Sequence, residues 1–260
     1  MTAIQEKIYY NSTETRPIVF QNGKYCYTYT FYFKYLGRWV ASNLRDDHHI
    51  NMQIAGATKA YGALSDYFNC GAINLKSKYL VFLAIPVNFA LYGCESLALR
   101  KDHLRQISSW FHKRIQWILG ISMFRVEEEH IRNEQVREMF FNIPSPEVLI
   151  DCRTMKLLGD IVRAKASIDL PSRHLLIAFC KKTRPVGRPL KSCKESLLAS
   201  LFHLLKPIGM YIDEKGSLKD WYMEALDKNF WDACIAYMRD QSNPRPIPPN
   251  RFRYEPPRPP

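Results

Sequence analysis

The sequence has 260 residues, and its 37 lysines and arginines against 25 aspartates and glutamates give a formal charge of +12. Apolar residues make up 47% of the chain, which excludes a protein that is disordered as a whole. The excess of positive charge favours an anionic partner, and nucleic acid is the first candidate.

The cysteines and the N-terminus indicate an intracellular protein. Seven cysteines lie at long spacings without a CxxC pair, whereas secreted disulfide frameworks use even numbers at tight spacing. We therefore predict reduced thiols and leave the nucleus and the cytoplasm open as compartments. Residues 1–24 are predicted to be irregular, and their polar, acid-containing start is unlike a signal peptide.

A β-hairpin is predicted over residues 25–40. Aromatic side chains occupy every second position from Tyr25 to Phe33, a period that is typical of a strand with one buried face. The segment from Lys34 to Gly37 interrupts this alternation. Arg38 and the two residues after it can form the returning strand.

Residues 41–170 are predicted to form a helical region. Apolar side chains recur there at steps of three and four, which indicates amphipathic helices. Asp46 and Asp47 stand where the first helix begins, and Gly120 is a suitable end for the third. The predicted helices cover residues 50–68, 75–97, 102–119, 126–140 and 147–166.

The uncharged run from Tyr79 to Cys94 raises the question of a membrane span. Its 16 residues fall short of the roughly 20 that a spanning helix needs. The run also contains Pro86 and Asn88, and Glu95 follows at once. We therefore predict a kinked core helix and no membrane contact.

Residues 171–240 are predicted to combine a basic loop with helices over 197–205 and 218–239. Residues 241–260 are proline-rich and are predicted to be a disordered, extended tail that could dock onto a protein partner. The predicted fold class is therefore mainly α: a helical bundle with one N-terminal β-hairpin and a disordered proline-rich tail.

The sequence offers no convincing active site, metal site or cofactor site. Asp46 and Asp47 lack the aromatic residue and the flanking apolar strands of a polymerase metal site, so we interpret them as helix-start acids. The acids at 127–129 before His130 are typical of a solvated helix start. Cys180, Cys193 and His203 lack the short ligand pairs of a zinc site.

The loop over 180–194 carries six basic residues and no acid. Arg184 to Pro189 is similar to the core of an AT-hook, which enters a narrow minor groove, although Val186 interrupts the pattern. Non-specific phosphate contact and a simple solvated loop are the alternatives. The candidate contacts in this loop are Lys181, Lys182, Arg184, Arg188 and Lys191.

Three islands in this order resemble the C-terminal part of LINE-type (non-LTR) retrotransposon reverse transcriptases. The first is the FKYLG segment at 33–37 with NLRDD at 43–47, and the second is LYGCES at 91–96 with FHKRI at 111–115. Leu97 stands where this family usually has tryptophan. The third is GRP at 187–189, followed by Trp221 and Trp231, with Lys228 in place of the usual arginine.

The resemblance implies binding of a template–primer duplex of RNA or DNA by a chain without the catalytic Asp-Asp motif of the palm. Residues carried over by the FKYLG match, in a role resembling a primer grip, are Phe33, Lys34, Tyr35, Leu36 and Gly37. The resemblance also implies that residues 41–170 correspond to the thumb and connection of the family. Lys113 and Arg114 would contact nucleic acid there, from the helix of the second island. Further candidate backbone contacts are Arg45, Lys59, Lys76 and Lys78.

The expected function is thus a catalytically incomplete reverse-transcriptase fragment that binds nucleic-acid backbone. One alternative is a helical protein-interaction module without a nucleic-acid role. Another is a clipped gene model of an active RNA-directed DNA polymerase, and a third is a non-functional remnant whose exposed aromatic strand aggregates.

Overall fold

The computed structural model describes residues 17–19, 26–28, 31–43, 45–97, 99–164 and 221–240. The chain divides into two compact units, residues 1–52 and 53–260. The fold is mainly α with a β-hairpin near the N-terminus, which confirms the predicted fold class at that level. The basic loop at 180–194, the predicted helix at 197–205 and the tail at 241–260 lie outside the described residues.

The first unit contains two short antiparallel strand pairs. β1 (Pro17–Val19) pairs with β2 (Cys26–Thr28), and β3 (Tyr32–Tyr35) pairs with β4 (Arg38–Ala41). The prediction that residues 1–24 are irregular is therefore wrong for β1, which an alternation of apolar side chains did not mark. The turn between β3 and β4 consists of Leu36 and Gly37, with φ angles of 46° and 85°. Positive φ at both central residues is the pattern of a two-residue hairpin turn that matches the twist of the strands.

The prediction of a strongly buried strand face is wrong for β3. All four of its residues are exposed, with Phe33 at 58% and Tyr35 at 61% of full exposure. The turn also starts two residues later than predicted, because Lys34 and Tyr35 still pair with β4. A period of two determines which side chains share a face, but it does not determine whether anything covers that face.

The first helices after the hairpin are shorter than the sequence pattern indicates. α1 (Asp47–Ala63) and α2 (Ser65–Asn69) replace the single predicted helix and are separated at Leu64. α3 (Leu75–Phe82) continues into a π-helical turn at 83–87 and then α4 (Asn88–Ala90). Pro86 lies in the π-helical turn, since it has no N–H for a regular helical bond.

Of the next two predicted helices, the one over 102–119 is confirmed and the one over 126–140 is wrong. α5 (Lys101–Ile118) matches its prediction within one residue, and Gly120 follows it with φ 69°. The single helix predicted over 126–140 is instead α6 (Met123–Glu128) and α7 (Asn133–Met139). His130 between them has φ 49°, which ends one helix before the next begins.

The remaining described helices are α8 (Pro146–Arg163), α9 (Trp221–Leu226) and α10 (Lys228–Arg239). The prediction of one helix over 218–239 is wrong, because Asp227 separates α9 from α10. The Asp227 carboxylate accepts hydrogen bonds from the backbone N–H groups of Asn229 and Phe230 and so starts α10 as an N-cap.

Two groups of buried side chains hold the second unit together. In the first, the Phe82 ring lies 5.6 Å from Phe111 and 5.9 Å from Phe140, measured between centroids. In the second, α8 packs against α9 and α10, and the Trp231 indole N–H donates to the Met155 carbonyl at 2.8 Å. These groups fix α5 and α8 in place.

The apolar run at 79–94 lies in the core only in part, because Phe82 and Leu91 are buried whereas Leu80 and Phe89 are exposed. The prediction of a core helix is therefore wrong for its exposed side chains. Among the described residues Cys94, Cys152 and Cys234 are buried free thiols, and Cys70 is an exposed one. Burial raises the pKa of Cys152 and of Cys234 to about 12. Within the described ranges, none of the helices has both the length and the apolar character needed to cross a bilayer.

Candidate nucleic-acid interface

The β3–β4 hairpin presents one aromatic face to solvent. Phe33 and Tyr35 are two residues apart on β3, and their ring centroids lie 6.5 Å apart at an interplanar angle of 23°. Leu36, at the turn, is 78% exposed. Exposed aromatic rings on a strand can stack on nucleobases. The primer-grip role of Phe33 and Tyr35 stays a prediction.

The other face of the hairpin packs on the start of α1. The His48 ring stacks on Tyr32 at 3.8 Å and meets the edge of Trp39 at 5.2 Å. Lys34 lies on this face, with its Nζ 5.8 Å from the centroid of the Trp39 ring. Lys34 therefore does not share the face of Phe33 and Tyr35.

Asp46 has a structural partner within the first unit. Its carboxylate accepts from the Arg38 guanidinium at 3.1 Å, and its backbone carbonyl accepts from the Ile50 N–H. Asp47 is the first residue of α1, as predicted for a helix-start acid. The described residues contain no cluster of three or more His, Cys, Asp or Glu side chains that could hold a metal ion.

Helix α5 carries four basic side chains, Lys101, Arg105, Lys113 and Arg114. Ile107, Phe111 and Ile115 are buried, as the apolar stripe predicts. Trp110 is also buried, and its indole N–H donates to Thr58 Oγ1 at 3.0 Å. Because this side of the helix is anchored, its cations lie on the remaining surface.

A groove of about 600 Å³ runs beside α5. Lys101, Arg105 and Lys113 line it with two serine hydroxyls, and Glu147 is the one acid among the described lining residues. Arg105 also lies 4.0 Å from Asp102, but both side chains are exposed, so this pair contributes little. The groove therefore presents three cations that carboxylates compensate only weakly.

His112 forms part of the same groove and is only 4% exposed. Its Nδ1 lies 2.7 Å from the backbone carbonyl of Ser108, to which it donates a hydrogen bond. Burial lowers the pKa of His112, so the ring is neutral at pH 7 and Nε2 carries a lone pair. Nε2 has no hydrogen-bond partner among the described residues.

Arg114 points into a different environment from its neighbour Lys113. Its guanidinium carbon lies 4.1 Å from the centroid of Trp117 and 5.1 Å from that of Tyr61. Nη2 donates to Thr58 Oγ1 at 3.5 Å, and the buried Nε has no partner among the described residues. Burial lowers the pKa of Arg114 from its ordinary value.

The other predicted contacts divide into three groups. Arg45, Lys59 and Lys76 are exposed, whereas Lys78 is buried and the prediction of a backbone contact there is wrong. Lys78 falls on the inner side of α3, which the sequence pattern did not reveal because the long lysine stem packs like an apolar chain. The predicted contacts of the basic loop, Lys181, Lys182, Arg184, Arg188 and Lys191, lie outside the described residues.

The structure adds site residues that the prediction missed. Lys101 and Arg105 share the groove with Lys113, and Trp117 lies beside Arg114. The sequence contained a signal for Lys101 and Arg105, because residues four apart lie on the same side of a helix. Trp117 follows Lys113 by the same step, with 6.0 Å between Nζ and the indole centroid.

The chain matches no protein-family model, no curated protein and no solved structure. The resemblance to LINE-type reverse transcriptases therefore stays a prediction.

Proposed function

We propose that this chain binds the phosphate backbone of RNA or DNA along α5, as the thumb-like part of a LINE-type reverse transcriptase would. The observation that carries the proposal is the groove with Lys101, Arg105 and Lys113 on one side of a single helix. Polyanion binding needs cations that are exposed and not already neutralised by acids, because the released counterions supply much of the affinity.

The spacing of the three groove cations along α5 suits a nucleic-acid strand. Lys101 and Lys113 are twelve residues apart on α5, which is about 18 Å along the helix at 1.5 Å per residue. Along the axis of a duplex, one strand carries a phosphate roughly every 3.4 Å, so about five phosphates of that strand pass over this distance. Ser108 and Ser109 lie between the cations and offer hydroxyl donors.

Within this proposal the 260 residues contribute binding and not polymerisation. The sequence contains no aromatic-x-Asp-Asp segment, since Leu44 stands before Arg45, Asp46 and Asp47. The Asp46 carboxylate is bound to Arg38. The two neighbouring acids thus act in the first turn of α1 and in an ion pair.

Charge reversal in the groove tests the proposal. We expect Lys101→Glu combined with Arg105→Glu to weaken binding to a labelled primer–template duplex at least tenfold, measured by fluorescence anisotropy. Because two phosphate contacts are lost, the slope of log affinity against log salt should fall by about two between roughly 50 and 200 mM salt. Both side chains are exposed on α5, so thermal melting should change little.

The matched control is Lys156→Glu, which reverses an exposed charge on α8 away from the groove. We expect this variant to bind the duplex within about twofold of the unchanged chain, apart from the general effect of net charge. The loss of affinity is compared per reversed charge, because the groove variant reverses two charges and the control reverses one. Equal losses per charge in the two variants would contradict a site on α5.

A protein-interaction module is the second candidate function, and exposed apolar side chains favour it. Leu80 on α3, Phe89 on α4 and Tyr92 in the turn that follows are all exposed. Large apolar side chains at a surface are typical of interaction sites when they form a patch. The two candidates separate in the same titration, because a module without a nucleic-acid role leaves the duplex unbound even at low salt.

A further inference from the structure

A second cleft lies beside α5, next to the groove but lined by other side chains. Its volume is about 570 Å³, within the range of roughly 300–1,000 Å³ that is usual for small-ligand sites. α1 contributes Thr58 and Tyr61, α2 contributes Ser65 and Asn69, and α5 contributes Arg114 and Trp117.

The cleft contains a cation that the described residues do not neutralise. No carboxylate of a described residue lies within 4.0 Å of the Arg114 guanidinium, and its one hydrogen bond, to Thr58, is long at 3.5 Å. The buried Nε is unpaired in the described part of the chain. A guanidinium with free donors in a partly desolvated cleft favours an anion, and phosphate fits its planar fork.

The same cleft contains an aromatic surface. Trp117 is 46% exposed, although it belongs to the residue type with the largest apolar ring system. Tyr61 lies behind it, with 6.1 Å between the two ring centroids, and stacks on Phe68 at 4.9 Å. The Tyr61 ring is thereby fixed. Arg114 lies over one face of the indole at 4.1 Å, and the exposed remainder of the indole is accessible to a ligand.

Polar side chains complete the cleft at its other wall. The Asn69 amide has both donors and an acceptor, and the Ser65 hydroxyl can act as either. A planar ring with hydrogen-bonding edges and an attached phosphate uses the indole, these polar groups and Arg114 together. A simple carboxylate would use Arg114 alone.

The cleft and the groove are adjacent through Lys113. This residue lines the groove, and its Nζ lies 6.0 Å from the centroid of the Trp117 ring. A strand held along the groove can therefore continue to Trp117 with one backbone step. The arrangement requires an unpaired nucleotide, because a paired base has both faces stacked inside the duplex.

We infer that the cleft between Tyr61, Arg114 and Trp117 receives one unpaired nucleotide that adjoins the backbone bound along α5, with its base on the indole and its phosphate on Arg114. The inference rests on the proposed function and narrows its substrate. The preferred ligand is a duplex with a single-stranded extension, such as a primer–template junction, and not a blunt duplex.

Three ligands that share one duplex test the inference on the full chain. They are a blunt duplex, the same duplex with a short single-stranded extension, and the same extension built from abasic units, which has equal phosphate charge without bases. We expect the extension with bases to bind roughly tenfold more tightly than the abasic one, since stacking on an aromatic side chain is sequence-tolerant and strong.

Variants of the cleft then assign this advantage to its residues. Trp117→Leu should abolish the difference between the base-containing and abasic extensions, whereas Trp117→Phe should retain most of it. Arg114→Lys should weaken both extensions, because a point charge replaces the fork. Equal melting temperatures of the Trp117 variants and the unchanged chain serve as the folding control.

The outcomes separate this inference from the proposed function. If base-containing and abasic extensions bind equally, or if Trp117→Leu leaves their difference unchanged, the nucleotide cleft is overturned while groove binding stands. If none of the three ligands binds at low salt, the proposed function fails and the inference fails with it. The cleft is supported if Trp117→Leu removes the tighter binding of the base-containing extension and Trp117→Phe retains it.

Discussion

At Gly159, the backbone of α8 lies directly against the indole of Trp231. A Cβ added there would come within 2.5 Å of Trp231 Nε1 and 2.6 Å of its Cδ1. The indole has no room to withdraw, because it is fully buried and its N–H is bonded to the Met155 carbonyl. The absence of a side chain at this position therefore determines how closely α10 approaches α8.

We predict that Gly159→Ala destabilises the protein by about 1–3 kcal/mol, the range for overpacking a filled core. Alanine raises helix propensity by up to about 1 kcal/mol, but the clash with Trp231 outweighs this gain. The melting temperature should fall by roughly 2–4 °C for each kcal/mol, measured by circular dichroism at 222 nm on the full chain.

Gly62→Ala is the matched control, because Gly62 also lies in a helix and a Cβ there meets no atom within 4 Å. It should stabilise the chain by roughly 0.5–1 kcal/mol. If the two variants shift the melting temperature in the same direction by similar amounts, the close packing of Trp231 on α8 is wrong.

The role of a residue could be predicted from the sequence more readily than the side chains that surround it in the fold. The family resemblance assigns Lys113 and Arg114 the same role as nucleic-acid contacts. Successive helical residues differ in direction by about 100°, so Lys113 lines the groove and Arg114 lines the cleft with Tyr61. Tyr61 is 53 residues away in the chain, and no local pattern could associate it with Arg114.

At the scale of elements, predictions succeeded where periodicity and an end signal coincided. α5 has an apolar stripe and Gly120 just beyond its end, and its prediction was correct within one residue. The break between α9 and α10 was missed although Asp227 is a good N-cap, because the apolar spacing continues through it. Periodicity shows which residues can form a helix, and capping decides where the helix starts.

The β3–β4 hairpin carries its own prediction, which concerns self-association. Within the described residues its strands pair only with each other, and Phe33 and Tyr35 are exposed on one face. Exposed apolar strands with unpaired edges promote association between chains. We expect Phe33→Ser combined with Tyr35→Ser to lower light scattering severalfold at matched concentration and temperature.

A helix provides the comparison for this pair. Met123→Ser combined with Phe124→Ser also removes two exposed apolar side chains, but from α6, which is a helix and presents no strand edge. Scattering should change much less in this variant. If both pairs lower scattering equally, exposed apolar area alone drives association and the strand has no special part in it.

At the scale of the whole molecule, the packing of the C-terminal helices could not be predicted from local patterns. The amphipathic spacing of α8 indicated that Cys152, Met155 and Leu158 face inward, which the structure confirms. The sequence did not indicate that Trp231, 76 residues from Met155, covers them. An apolar stripe on a helix indicates that another element covers it, and only the three-dimensional fold identifies that element.

The buried thiols provide a way to test this long-range packing. Cys152 on α8 and Cys234 on α10 both lie in the cluster around Trp231. Burial raises the pKa of each thiol from 9.0 to about 12, so at pH 8 both remain protonated, whereas the unfolded chain would form thiolate more readily as the pH rises towards 9. Since the thiolate is the reactive form, we predict that both resist alkylation in the folded protein.

Iodoacetamide labelling followed by peptide mass spectrometry, over a urea series at pH 8, measures this protection residue by residue. Cys70 is exposed and should label without urea. Cys152 and Cys234 should become reactive at the same urea concentration, because exposing one face of their shared cluster exposes the other. Labelling of Cys234 in the absence of urea would contradict the packing of α10 on α8.

Cys94 lies in the core outside this cluster. If Cys94 labels together with Cys152 and Cys234, the C-terminal helices unfold in one cooperative step with the rest of the second unit. If Cys94 stays protected to higher urea, α9 and α10 form a separate, weaker unit of stability.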